Sequence, residues 1–305
     1  MSQSIPADLK FFLDNKKNFL AKTSKLFCVP NLVLKIGIEL ELYLLDVNSF
    51  CLEDEKTIDK YIADLKKILA DNLLIYDIEK ERGKGQIEIK ISYISDFNLL
   101  CETIAEVKNL VQKLAKENNF VASFNSCPIV DDCSSAMQFN LSFHDENDKN
   151  LFVVDEKILQ NSIAGILDLL SEMIIFCAPE NNDYLRFNLH NNINLHKKGK
   201  FMAPINISFG VDNRSAAIRI SRDKKRVEFR VASANCEYEL VISSLIIAIS
   251  RGIKENLKLK SSQKIYGNSF DKNYNLEELP QNFEQAKNNF FNKKTLKNQL
   301  LAFFY

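Results

Sequence analysis

Four segments of this chain alternate apolar and polar side chains with a period of two, and that alternation constrains the fold more than any other feature. In GIELELY (37–43), Ile38, Leu40 and Leu42 share one side, while Glu39 and Glu41 share the other. In GQIEIKIS (85–92), Ile87, Ile89 and Ile91 oppose Gln86, Glu88 and Lys90. In MQFNLSF (137–143), Met137, Phe139, Leu141 and Phe143 oppose Gln138, Asn140 and Ser142. In RVEFRV (226–231), Val227, Phe229 and Val231 oppose Arg226, Glu228 and Arg230. The pattern predicts strands, each with one face for a core. An amphipathic sheet with a solvated outer face would produce the same alternation. A solvated face is usually rich in Lys, Thr and Ser. The polar positions here are Glu, Gln, Asn and Arg with a single Lys.

Glu81 lies seven residues before Glu88, joined to it by the glycine-containing RGKGQ. Adding it puts five carboxylates on one surface: Glu39, Glu41, Glu81, Glu88 and Glu228. Clustered carboxylates repel one another unless cations neutralise them. So many hard oxygen donors suit Mg²⁺ or Mn²⁺ rather than zinc. His144, His190 and His196 fit no metal motif. Arg186, Arg214, Arg219, Arg226 and Arg230 come from one half of the chain, and guanidinium forks bind phosphates and carboxylates bidentately. Carboxylates beside arginines point to a metal-bound polyphosphate and an anionic substrate, the electrostatics of phosphoryl transfer. Neither GxxxxGK[ST] nor GxGxxG occurs.

Composition narrows the alternatives. The 305 residues carry 40 basic and 40 acidic side chains, so no global basic field favours nucleic acid. The first residues, MSQSIPADLKFFLD, do not read as a signal peptide. The longest apolar run, near LVISSLIIAIS, is too short to span a bilayer and reads as a buried helix. Seven cysteines without CxxC spacing suggest reduced thiols and a cytoplasmic protein. Helical spacing predicts helices over 5–27, 58–69, 97–116, 155–177 and 237–253, and a short one in LPQNFEQAKNNFF. Strands are expected over 33–45, 86–93, 137–143, 204–209, 216–221 and 226–231. His190 and His196 fall in a stretch expected to be a polar loop. Cys133 is expected to be buried and inert, and the late phenylalanines at 283, 290, 291, 303 and 304 to pack into the core. The whole reads as one α+β domain.

The order of segments GIELE, E-RGKGQ-IE, MQFNLS, NNDYLRF, APINISFGVDNRSAAIRI and RVEFRVASAN resembles the glutamine synthetase superfamily from about residue 33 to 290. APINISFGVDNRSAAIRI with KRVEFR is the most specific part. The resemblance implies a curved antiparallel sheet forming a funnel-shaped site with flanking helices, over residues 31–305, after a helical extension at 1–30. It implies an ATP-dependent ligase that phosphorylates a carboxylate, usually of glutamate, and passes the acyl group to an amine. Glu41, Glu81 and Glu88 match one metal's ligands, and Glu39 and Glu228 the second's. Arg219 and Arg226 match phosphate-binding arginines, with Asn140 and Ser142 on the nucleotide side. Arg214 matches the group that stabilises the transferring phosphoryl. Arg186 and Arg230 match those holding the acid, with Gly85 beside it. Glu228 and Arg214 would be catalytic.

Three departures stand out. AMQFNLS replaces the superfamily's GMHxHxS, so Gln138 stands at a metal-binding histidine and Asn140 at a nucleotide-contacting one. Glutamate–cysteine ligases of the same superfamily are closer to this Q-x-N pattern. Met202 precedes Ala203–Pro204 where the family carries a flap glutamate, after an insertion of roughly FNLHNNINLHKKGKF. The family's N-terminal β-grasp domain has no counterpart in the roughly 30 residues before GIELE. The expected acceptor is therefore an amine other than ammonia, and the expected assembly is not the family's dodecameric ring. Expected partners are ATP, a glutamate-like acid and an amine, with no nucleic acid or membrane. A catalytically degenerate relative that binds nucleotide or glutamate is the alternative; a phosphagen-kinase-like phosphotransferase matches the segments poorly.

Overall fold

The structure, a computed structural model, describes residues 6–29, 31–46, 54–129, 131–200 and 203–304. Met202 lies outside the described residues. Helices α1 (Ala7–Asp14) and α2 (Lys16–Thr23) lead into β1 (Cys28–Val29) and the fifteen-residue β2 (Leu32–Asp46). Then come α3 (Glu55–Ile68), β3 (Ile75–Lys80), β4 (Gln86–Ile94), α4 (Phe97–Glu117), β5 (Phe120–Ser123) and β6 (Met137–His144). The second half holds α5 (Leu151–Val154), α6 (Glu156–Cys177), α7 (Leu189–Lys197), β7 (Phe209–Val211), β8 (Ile218–Ile220) and β9 (Val227–Phe229). Helices α8 (Tyr238–Lys254), α9 (Phe283–Lys293) and α10 (Thr295–Phe304) close the chain.

The strands form one sheet in the order β3-β4-β2-β6-β9-β8-β7, with β1 and β5 also paired to β2. Its pairs are antiparallel except β7–β8, which is parallel, so the expected antiparallel sheet is in fact mixed. Between those strands the chain turns at Asp212, whose φ is 51°, and at Asn213, whose side chain accepts from Ser215 N–H. The alternation works as the sequence requires. Ile38, Leu40, Ile87, Ile89, Phe139, Leu141, Val227 and Phe229 are all buried in one continuous core with α4, α6 and α8.

Helices α6 and α8 meet backbone to backbone at Gly165 and Gly252. A Cβ on Gly165 would lie 2.0 Å from Ala248 O, and one on Gly252 2.1 Å from Asn161 O, so only glycine allows this crossing. By length and composition α6 could cross a membrane, but 83% of its most apolar window is buried inside the fold. Phe290 is fully buried, against Phe12, Phe176 and Phe291, and Phe304 packs on Phe11 and Phe19. The late phenylalanines thus join the core, as expected.

Three expectations fail for local reasons. The single helix over 5–27 breaks at Asn15, which leaves the helical region (φ −109°, ψ 13°) while its side chain donates to Phe11 O at 2.8 Å. The strand expected over 204–209 begins only at Phe209, because Ile207 N–H bonds to Glu277 O and Leu279 N–H to Ile205 O, outside the strand ladder. The polar loop expected after Arg186 is instead helix α7, whose cap Asn188 accepts from Asn191 N–H.

Candidate active site

Most of the polar side chains on the strands are withdrawn from solvent, with Glu39, Lys90 and Arg226 half-buried. Glu41, Glu88, Gln138, Asn140, Ser142, Glu228 and Arg230 are each at most 7% exposed, which rules out the solvated-face reading. Register explains the clustering. Glu88 of β4 lies opposite Glu41 of β2 on one side and Glu79 of β3 on the other. Glu39 lies opposite Lys90 and Gln138, and Asn140 opposite Glu228, which itself faces Arg219. Above this floor is a cavity of about 340 Å³. Glu39, Glu41, Glu81, Glu88, Gln138 and Glu228 all line it, together with Arg186, Arg214, Arg219, Arg226 and Arg230. Asn140, Ser142 and Gly85 are not among its lining residues. Gly85 shapes the β3–β4 turn with φ 83°, and its carbonyl accepts from Leu44 N–H.

Glu41 is the most tightly held carboxylate. It accepts from Ala136 N–H at 2.8 Å, Gln138 Nε2 at 2.8 Å and Gln86 Nε2 at 3.3 Å. Burial nevertheless pushes its pKa up to about 7, against those hydrogen bonds. Glu88 rises further, to about 8, first from burial and then from the charges of Glu39, Glu41 and Glu81. Burial also raises Glu81, countered by Arg214. Gln138 bridges the two charge types, since its Oε1 accepts from Arg230 at 2.6 Å while its amide donates to Glu41.

The arginine side is built differently. Glu228 accepts from Arg219 at 2.6 Å and from Arg230, and Arg219 also donates to Asp212 at 2.6 Å. Arg186 donates to Val231 O at 2.8 Å, Arg230 O at 3.2 Å and Ser134 Oγ at 3.4 Å. Arg226 Nε and Arg219 Nε are buried without a hydrogen-bond partner, as is Asn140 Oδ1. Leaving a buried donor unmade costs about 1–3 kcal/mol, so such atoms mark places where an anion fits. Asn140 Nδ2 donates to Glu39 at 3.2 Å, and Ser142 Oγ bonds His144 Nε2 at 3.0 Å.

The donor set suits hard cations: buried carboxylates whose mutual repulsion raises Glu88 are those a divalent ion would relieve. Among the described residues, no group of three or more His, Cys, Asp or Glu side chains is placed to hold a metal ion. Four contributors were not singled out from sequence: Gln86, Asp212, Glu79 and Arg82. Gln86 stood on the polar face of its strand, and Arg82 and Asp212 lie inside quoted segments; the fold brings Gln86, Glu79 and Arg82 to the cavity wall, and Asp212 behind Arg219. His190 bonds Asn194 on α7, His196 packs against Phe270, and Cys133 is buried beside the cavity.

The chain is similar in sequence to curated proteins. The gamma-glutamylputrescine synthetase of Escherichia coli (strain K12) is 27% identical over 217 residues, covering 69% of this chain and 42% of its own length. The glutamate–isopropylamine ligase of a Pseudomonas species is 27% identical over 219 residues, covering 68% of this chain and 45% of its own. The chain thus spans less than half the length of these curated relatives. Among solved structures, a GmaS/ADP complex superposes with a TM-score of 0.80 at 20% identity, over 94% of this chain and 69% of that one. Residues 46–304 match the family described as "Glutamine synthetase, catalytic domain", and the chain belongs to that family.

Proposed function

We propose that this protein is an ATP-dependent carboxylate–amine ligase, joining glutamate or a similar acid to an amine other than ammonia. The supporting observation is one cavity that holds six carboxylates beside arginines with buried, unpartnered N–H groups. Arg219 and Arg226 would hold the nucleotide phosphates, with Asn140 and Ser142 on the nucleotide side. Arg186 and Arg230 would hold the acid, near Gly85. Mg²⁺ or Mn²⁺, held by Glu41, Glu81 and Glu88 on one side and Glu39, Gln138 and Glu228 on the other, would neutralise the polyphosphate. Arg214 would stabilise the phosphoryl group as it moves from ATP to a carboxylate oxygen, releasing ADP. Nitrogen attack on the acyl carbon then breaks the carbon–oxygen bond to phosphate; the amine loses one proton and the products are an amide and inorganic phosphate.

A second reading, a nucleotide- or glutamate-binding relative without turnover, is favoured by Gln138. Its carbonyl oxygen, the donor a metal would need, is taken by Arg230. The test is ADP release with Mg²⁺, ATP and glutamate across ammonia, cysteine, polyamines and alkylamines. Amine-dependent ADP release with the amide seen by mass spectrometry is the expected result. Tight Mg-ATP binding without turnover on any amine would transfer support to the second reading. Binding of neither Mg-ATP nor glutamate by calorimetry would remove both.

A further inference from the structure

A second cavity of about 280 Å³ adjoins the first, and the two share Ser134 and Arg186 as lining residues. At ~30 Å³ of liquid volume per water, it has room for about nine waters. Its apolar wall is made by Cys127, Ile129, Leu185 and Leu195. Burial pushes the Cys127 thiol up to about 11, so it stays protonated and behaves as part of that wall. One side is α7, the segment that departs from the family pattern. This helix is tied to both cavities by Asn192. Its Nδ2 donates to Arg186 O at 2.7 Å, and its Oδ1 accepts at 2.8 Å from Ala203 N–H, on a residue lining the first cavity.

The charges at the rim are already matched. Lys200 pairs with Asp132 at 2.5 Å, and Lys198 lies 3.8 Å from Asp131. Asp132 also accepts from Lys84 N–H and Cys133 N–H. Arg186 directs three N–H groups at Val231 O, Arg230 O and Ser134. A carboxylate at the rim would meet lysines already paired with Asp131 and Asp132, whereas an apolar body fits the apolar wall. We infer that this chamber receives the apolar body of the acceptor, a primary amine with a branched alkyl or aromatic group. Its nitrogen would reach the first cavity past Ser134 and Arg186. This inference rests on the ligase reading for the reaction, but the chamber itself can be tested without turnover.

The probes are benzylamine and methylamine, used with the full chain and two variants. Leu185→Trp narrows the chamber from a side chain that is 47% exposed, so folding should survive; Leu195→Ala widens it. With Leu185→Trp, KM for benzylamine should rise ~10-fold or more, the scale of a pocket contact, while methylamine, glutamate and ATP stay within about 2-fold. Leu195→Ala should shift preference towards the bulkier amine. Equal losses for both amines, or a rise in KM for glutamate instead, would overturn the assignment. Calorimetric titration of benzylamine, run without ATP, separates the two ideas. Binding that Leu185→Trp removes, in a protein with no amine-dependent ADP release, keeps the chamber and discards the ligase. Absent binding, or binding unaffected by Leu185→Trp, discards the chamber whatever the ADP assay gives.

Discussion

The two halves of the cavity floor treat buried charge in opposite ways. On the β8–β9 side, Glu228 is clamped by Arg219 and Arg230, and Arg219 is backed by Asp212, so the chain supplies its own counterions. On the β3–β4–β2 side, Glu79, Glu88 and Glu41 stand directly opposite one another across three strands. Like charges in cross-strand register destabilise a sheet. Burial with mutual repulsion accordingly lifts Glu88 to about 8. One half has its charges paired within the chain, with Arg219 Nε and Arg226 Nε left for an anion; the other is a row of like charges that a cation would complete. Folding free energy is held in the first half and set aside in the second for binding.

The sharpest way to break this contrast is Glu228→Ala. It leaves the buried Arg230 and the half-buried Arg219 without their shared carboxylate, and breaking a buried pair costs ~3–5 kcal/mol. Urea unfolding should show that loss with or without Mg²⁺, and ADP release should disappear. A loss below about 1 kcal/mol would mean that the arginines find other partners and that this half is not self-contained.

Glu88→Gln tests the opposite half and should act in the opposite direction. Replacing one of three facing carboxyls should stabilise the metal-free protein at neutral pH, on the order of 1–2 kcal/mol, because folding no longer has to protonate a group that is ionised when unfolded. The same change should shrink the stabilisation that Mg²⁺ gives the parent protein, since that gain follows binding to the native state. A variant that is destabilised without metal, or that responds fully to Mg²⁺, would remove the distinction between the halves.

How much of this was legible in sequence follows the same division. The faces of β2, β4, β6 and β9 could be read because a strand's two faces are fixed by counting to two. The carboxylate and arginine sets could be read because those residues sit on such strands or in the quoted segments. What could not be read depends on register and on short elements. Glu79 belongs to β3, a six-residue edge strand whose pairing with β4 shifts register between Ile75 and Asp77. The bridge that Gln138 makes between Glu41 and Arg230 joins positions 97 and 92 residues away in sequence. Helix α7 is rich in asparagine, a poor helix former, and its order comes from Asn188 and Asn192 binding nearby backbone groups, local capping bonds that offset propensity. The parallel β7–β8 pair rests on strands of three residues each, too short for periodicity to report a direction.

The smallest effect separates partial compensation from the real counterion. Lys90 is the cation that β4 itself offers to the carboxylate half: it pairs with Glu79, lies 3.4 Å from Glu88 and 3.9 Å from Asp77. Its partner Glu79 is 46% exposed, so the pair is solvent-screened and its loss in Lys90→Met should cost less than about 1 kcal/mol. The cost should shrink further at ~1 M salt, where screening acts within about 3 Å. In the Glu88→Gln background, Lys90→Met should cost less again, because part of its role is to offset the Glu88 charge. A lysine that filled the place of the divalent ion would behave differently. Its removal would then cost several kcal/mol, ignore salt, and leave Mg²⁺ unable to restore stability. The expected outcome is a small, salt-sensitive loss that Mg²⁺ fully offsets, because the carboxylate row needs more positive charge than one half-buried lysine can supply.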